Sequence, residues 1–148
     1  MRIETIAAQA AHKADPVTGA ITAPIYLSTT FERDPDGEFS RGLIYSRGGN
    51  PTRQALEECL CHLEGGSAAA TFSSGMAATA AVFQALSTND HVIVPNDCYH
   101  GTARLLQEVF SRWGLEATFV DMTDPEQVGQ AIQPNTRLSG SKRRLTRY

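Results

Sequence analysis

Between residues 51 and 138 the chain alternates helix-period segments with short runs that are apolar at nearly every position. Pro51 and Thr52 open a helical segment with Leu56, Cys59, Leu60 and Leu63 on one face, and Gly65-Gly66 end it. Ala68–Phe72, His91–Pro95 and Ala117–Val120 have strand length. Between and after them the spacing predicts helices from Gly75 to Leu86 and from Thr102 to Trp113, the second stopped by Gly114. A last helix is capped by Asp124-Pro125 and ends before Pro134. An apolar run without alternation suits a strand covered on both faces, and strands spaced by helices connect in parallel. The expected architecture is therefore α/β, with a mostly parallel sheet in a three-layer sandwich.

The flanks behave differently. Residues 1–50 are rich in turn formers and read as an arm laid against a partner, with a short extended piece at Ala23–Phe31 and a turn at Asp34–Gly37. Residues 51–138 read as one partial α/β domain. After Asn135-Thr136-Arg137-Leu138 the pattern demands another apolar strand, but residues 139–148 are polar and basic. Residues 1–138 hold nine of the 13 Lys and Arg and all 16 Asp and Glu, whereas 139–148 hold the other four basic residues and no acid. A tail of that composition is expected to be disordered and foreign to the domain, from a frameshift or an appended end, and not a nucleic-acid contact.

No apolar stretch approaches membrane-spanning length, and MRIETIAAQAAHKADP is too polar for a secretory leader, so a cytoplasmic protein is expected. Cys59, Cys61 and Cys98 are odd in number and show no pairing pattern; Cys59, Cys61 and His62 lack metal-ligand spacing.

Three segments carry chemistry. Ser73-Ser74-Gly75-Met76-Ala77-Ala78 follows a strand candidate and opens a helix, where free N–H groups favour an anion; a helix capped by serine with no ligand has the same look. Tyr45-Ser46-Arg47-Gly48-Gly49-Asn50-Pro51-Thr52 is a glycine-rich turn carrying an aromatic ring and a guanidinium suited to phosphate, or else a solvated loop with a surface arginine. Asn96-Asp97-Cys98-Tyr99-His100-Gly101-Thr102 follows a buried strand, at the end where open α/β sheets bind ligands. There Tyr99 either stacks on a planar ring and moves a proton, or only lines a capping loop. Cys98 and His100 offer a thiol and a base, though neighbouring positions rarely let two side chains converge.

In this order and at these distances, APIYLSTTF, YSRGGNPT, LEGG, SSGMAA and NDCYHGT resemble the N-terminal signatures of the pyridoxal-phosphate (PLP) enzymes of cysteine and methionine metabolism. That family includes the cystathionine γ-synthases and γ-lyases, the methionine γ-lyases and the homoserine-ester sulfhydrylases. The resemblance covers residues 1 to about 138 and implies the large domain of the aminotransferase-like fold type I. It implies that Gly75 and Met76 give backbone N–H groups to the PLP phosphate, and that Tyr99 stacks on the pyridine ring and assists proton movements. Tyr45 and Arg47 would reach the phosphate of a neighbouring copy in a dimer of dimers. It also implies elimination or replacement at the β or γ carbon of a sulfur amino acid or homoserine ester. Gly48 stands where some γ-synthases have a second arginine, and His100 where many members have glycine.

PLP enzymes need a Schiff-base lysine and an acid facing the pyridine nitrogen. Residues 1–138 hold one lysine, Lys13, and Lys142 lies in the tail. The expectation is a truncated, inactive piece of such an enzyme. Its rivals are a non-catalytic remnant or partner-binding fragment, and an unrelated phosphate or thiol enzyme using Cys98 and His100.

Overall fold

The computed structural model describes residues 2–9, 14–15 and 17–140, and it divides into two compact units between Thr71 and Phe72.

The second unit carries the sheet. Its elements are α3 (Gly75–Gln84), β1 (His91–Pro95), α4 (His100–Arg104), β2 (Glu116–Val120), α5 (Pro125–Ala131) and β3 (Thr136–Ser139). β1 is central and pairs in parallel with β2 on one side and β3 on the other. His91, Val92, Ile93 and Val94 are all buried, as a strand covered on both faces requires. Phe83, Val92, Val94, Leu106, Phe110 and Leu115 form the core, and Phe110 meets Phe83 and Trp113 edge to face. The α/β fold with a parallel sheet stands as the sequence predicts.

The helix expected over Thr102–Trp113 begins at His100 and changes pitch. After α4 it widens into a π turn at Leu105–Val109 and tightens into a 3-10 turn at Phe110–Trp113. The wide turn leaves Leu106 and Phe110 both 2% exposed. Gly114 ends it at φ 77°, where a Cβ would stand 2.8 Å from Cγ2 of Thr88.

Two sequence expectations need correction here. Ala68–Phe72 is not a strand: the Thr71 amide donates to Oε1 of Glu57 and not to a neighbouring strand. An apolar run becomes a strand only where a partner edge supplies the ladder. Conversely, Thr136–Ser139 is a strand, so Ser139, expected to begin a disordered tail, closes the sheet. The buried edge of β1 recruits it through His91 N–H to Asn135 O at 2.8 Å and Gly140 N–H to Ile93 O at 3.1 Å. The sequence signal was faint because only Leu138 in this strand packs on the core. The rest of the basic tail, 141–148, lies outside the described residues.

The first unit contains α1 (Ile3–Gln9), in the arm expected to be irregular, and α2 (Pro51–Glu64). Asn50 caps α2 by accepting from Thr52 N–H, Pro51 takes the first position, and Gly65 ends it at φ 66°. In the extended segment the pairing is a single antiparallel bridge, Thr30 to Tyr45. The Asp34–Gly37 turn closes with Gly37 N–H donating to Asp34 O at 2.9 Å. Lys13 lies outside the described residues.

Candidate functional site

In the second unit the site builds from the start of α3 and the loop after β1. Ser74 is extended and its Oγ accepts from Ala77 N–H at 3.1 Å, while its carbonyl takes Ala78 N–H. Those bonds use the third and fourth amides of the turn. The amides of Gly75 and Met76 have no protein acceptor among the described residues. With the helix dipole behind them, they are free for an anion.

The loop after β1 delivers Tyr99. Asn96 N–H donates to Val120 O at 2.8 Å, which ties the loop to β2. Tyr99 N-caps α4 with its backbone, its carbonyl accepting from Thr102 and Ala103 N–H, and the residue stays 65% exposed. A Cβ at position 101 would lie 2.7 Å from Cε1 of Tyr99 and 3.1 Å from Sδ of Met76. Gly101 therefore leaves the space in which the Tyr99 ring and the Met76 side chain sit. An exposed ring, a thioether and two free amides thus share one locality, although positions 76 and 99 are far apart in the chain.

The thiol reading fares worse. Burial pushes the Cys98 thiol up, and the charge of Asp97 adds to the rise, the opposite of what a nucleophilic thiolate needs. Among the described residues no hydrogen bond joins Cys98 to His100, and no three His, Cys, Asp or Glu side chains converge as metal ligands.

The first unit holds the other motif. Gly48 and Gly49 N–H both donate to Tyr45 O, at 2.9 and 3.0 Å, closing a tight turn. The Arg47 guanidinium lies 5.1 Å from the centroid of the Tyr45 ring. The two line a hollow of ≈ 400 Å³ with Gly42, Ile44, Gly48 and Gly49. Among the described residues Arg47 pairs with no carboxylate, so its charge is available to an anion.

What holds this turn is not marked by any motif in the sequence. Asn50 Nδ2 donates to Tyr26 O at 3.1 Å and Thr52 Oγ1 accepts from Tyr26 N–H at 2.9 Å, joining the extended segment to the start of α2. Arg53 donates from Nη1 to Arg47 O at 3.1 Å and from Nη2 to Gly48 O at 2.8 Å. Its Nε lies 3.5 Å from Oε1 of Glu57, which also accepts the amide and hydroxyl of Thr71. The Thr71 amide, then its hydroxyl, hold the Glu57 carboxyl below its ordinary value, with Arg53 adding to the effect. An arginine and a glutamate four residues apart on a helix read as an ordinary surface pair, which hides the contacts to the loop.

The sequence profile described as Cys/Met metabolism PLP-dependent enzyme matches residues 4–139. Cystathionine gamma-synthase of Mycobacterium tuberculosis is 49% identical over 135 residues, which are 90% of this chain and 35% of that protein. Cystathionine beta-lyase MetC of Bacillus subtilis is 49% identical over 126 residues, 85% of this chain and 32% of that one. The solved structure of metB from Corynebacterium glutamicum superposes with a TM-score of 0.88 at 43% identity, covering 94% of this chain and 36% of the other. The chain thus spans about 35% of the length of the curated relatives it matches.

Proposed function

Because this chain belongs to the Cys/Met metabolism PLP-dependent enzyme family, we propose that it forms the phosphate- and ring-binding part of a transsulfuration enzyme. Such an enzyme eliminates or replaces groups on cystathionine, methionine or a homoserine ester. The residues present fit the cofactor. Gly75 and Met76 offer free amides to its phosphate, and Gly101 leaves the space that a ring-stacking Tyr99 needs. The observation that carries the reading is this seating of the exposed Tyr99 ring beside Met76, at the free start of α3.

Each group has a separate task. The Gly75 and Met76 amides bind the phosphate dianion, and the Tyr99 ring orients the flat heterocycle by stacking while its hydroxyl can hold a proton at the reacting end. Tyr45 and Arg47 grip the phosphate of a second copy, so that two chains pair as in the dimer of dimers that this family pattern implies. Ile25 and Leu27, 78% and 88% exposed, supply apolar surface for such a contact. When bound, PLP supplies the electron sink for the substrate carbanion. Among the described residues there is no lysine to hold it covalently. A reducing, cytoplasmic setting suits three free cysteines.

The test is equilibrium titration of PLP and of pyridoxal, which lacks the phosphate. Borohydride-treated controls exclude random adducts at Lys13 and Lys142. Sedimentation of the same samples records whether copies pair. Without a covalent link, PLP should bind weakly, near millimolar and about −4 kcal/mol, and more tightly than pyridoxal. Equal affinity for the two would refute the phosphate assignment.

A further inference from the structure

We propose that Arg53 is the positioning residue of the Tyr45–Gly49 anion grip; this rests on the reading of Arg47 as a phosphate ligand. Arg47 sits on an exposed turn whose own hydrogen bonds all converge on one carbonyl, that of Tyr45. Those two bonds set the curvature of the turn but not its direction. The carbonyls of Arg47 and Gly48 point away from it and both meet the Arg53 guanidinium, at 3.1 and 2.8 Å. A planar fork that takes two successive carbonyls fixes the peptide plane between them. With the backbone of Arg47 held from behind, its side chain projects from a defined base over the Tyr45 ring.

Arg53 can impose this because it is itself fixed. It lies in the first turn of α2, next to Asn50 and Thr52, which anchor that turn to the backbone of Tyr26. Its third contact is Glu57, and Glu57 is held by Thr71. A role confined to helix pairing fits the distances poorly. The Nε to Glu57 separation is 3.5 Å, longer than either carbonyl contact. Arg53 also places a fixed positive charge behind the loop that receives the anion.

The experiment compares Arg53→Gln, Arg53→Lys and Arg47→Gln in the 148-residue chain. It reads residue-resolved amide hydrogen exchange together with the ratio of PLP to pyridoxal affinity. In Arg53→Gln, exchange at Gly48 and Gly49 should rise about tenfold while the amides of Leu56–Leu60 in α2 stay as they are. The affinity ratio should fall to that of Arg47→Gln. Arg53→Lys, a point charge able to meet one carbonyl at a time, should lie between. Wild-type protection of Gly48 and Gly49 in Arg53→Gln, or an equal rise throughout α2, would overturn the positioning role alone. A wild-type ratio in Arg47→Gln would instead sink the reading of Arg47 as a phosphate ligand, and with it the purpose assigned to Arg53.

Discussion

Gly101 and Tyr99 occupy space that a single added carbon would contest: a Cβ at position 101 would stand 2.7 Å from Cε1 of the Tyr99 ring. Tyr99 is exposed and the Met76 side chain is unbranched, so Gly101→Ala should move the ring at little cost to the fold, because inside α4 the exchange also gains about 1 kcal/mol of helix propensity. The ring's stacking on PLP should suffer, and the fluorescence change that accompanies PLP binding should shrink. Unchanged binding with an unchanged melt would show that the seating of Tyr99 is incidental.

His91 ties the sheet together from inside. It is 1% exposed, with Nδ1 2.8 Å from Thr136 Oγ1 and Nε2 2.8 Å from Thr118 Oγ1, so one ring links β1 to both neighbours. His91→Ala should leave a cavity, with the Thr118 hydroxyl deprived of its partner and the Thr136 hydroxyl left with Gln133 N–H alone, a loss of about 2–4 kcal/mol. Urea denaturation of the variant checks it, and a loss within error of zero would contradict the role.

Ser74 is predicted to act on α3 mainly as a cap. Its Oγ accepts Ala77 N–H at 3.1 Å. Ser74→Ala should cost about 1 kcal/mol, and Ser74→Gly only a few tenths. Equal losses in thermal denaturation would argue that the hydroxyl contributes something other than capping.

Glu57 gives a pH dependence with a definite sign. Its folded carboxyl is held below the ordinary value of 4.5, first by the Thr71 amide and then by the Thr71 hydroxyl, with Arg53 adding. A depressed carboxyl binds fewer protons in the folded state than in the unfolded one. Its stabilisation is therefore present above about 4.5 and is lost as pH falls through the lower folded value. Carboxyl-carbon NMR should place the Glu57 midpoint below 4.5, and Thr71→Val, which keeps the amide but removes the hydroxyl, should raise it. A midpoint that ignores this substitution would remove Thr71 from the account.

Much of this was legible in the chain because it is local chemistry. Asn50-Pro51, Asp124-Pro125, Gly65 and Gly114 mark helix ends by their own backbone preferences, and the unbroken apolar run at β1 announces a strand covered on both sides. What stayed hidden depends on partners distant in sequence. Ala68–Phe72 has the composition of a strand but no ladder to join, and Thr136–Ser139 has a ladder but a weak composition. The proximity of Met76 to Tyr99 comes from the meeting of α3 and α4, and nothing in SSGMAA or NDCYHGT declares it. Arg53 was invisible because a helix-phase pattern pairs it with Glu57 and cannot show that its fork faces back to the loop.

The central claim is that the start of α3 binds the phosphate of PLP. Amide-resolved NMR titration of the chain with PLP and, separately, with pyridoxal tests it most directly. The account predicts that the Gly75 and Met76 amides shift with PLP and stay in place with pyridoxal, whereas Val92–Val94 in the buried strand respond to neither. Shifts at Gly75 and Met76 that are the same with both compounds, or absent with PLP, would contradict it.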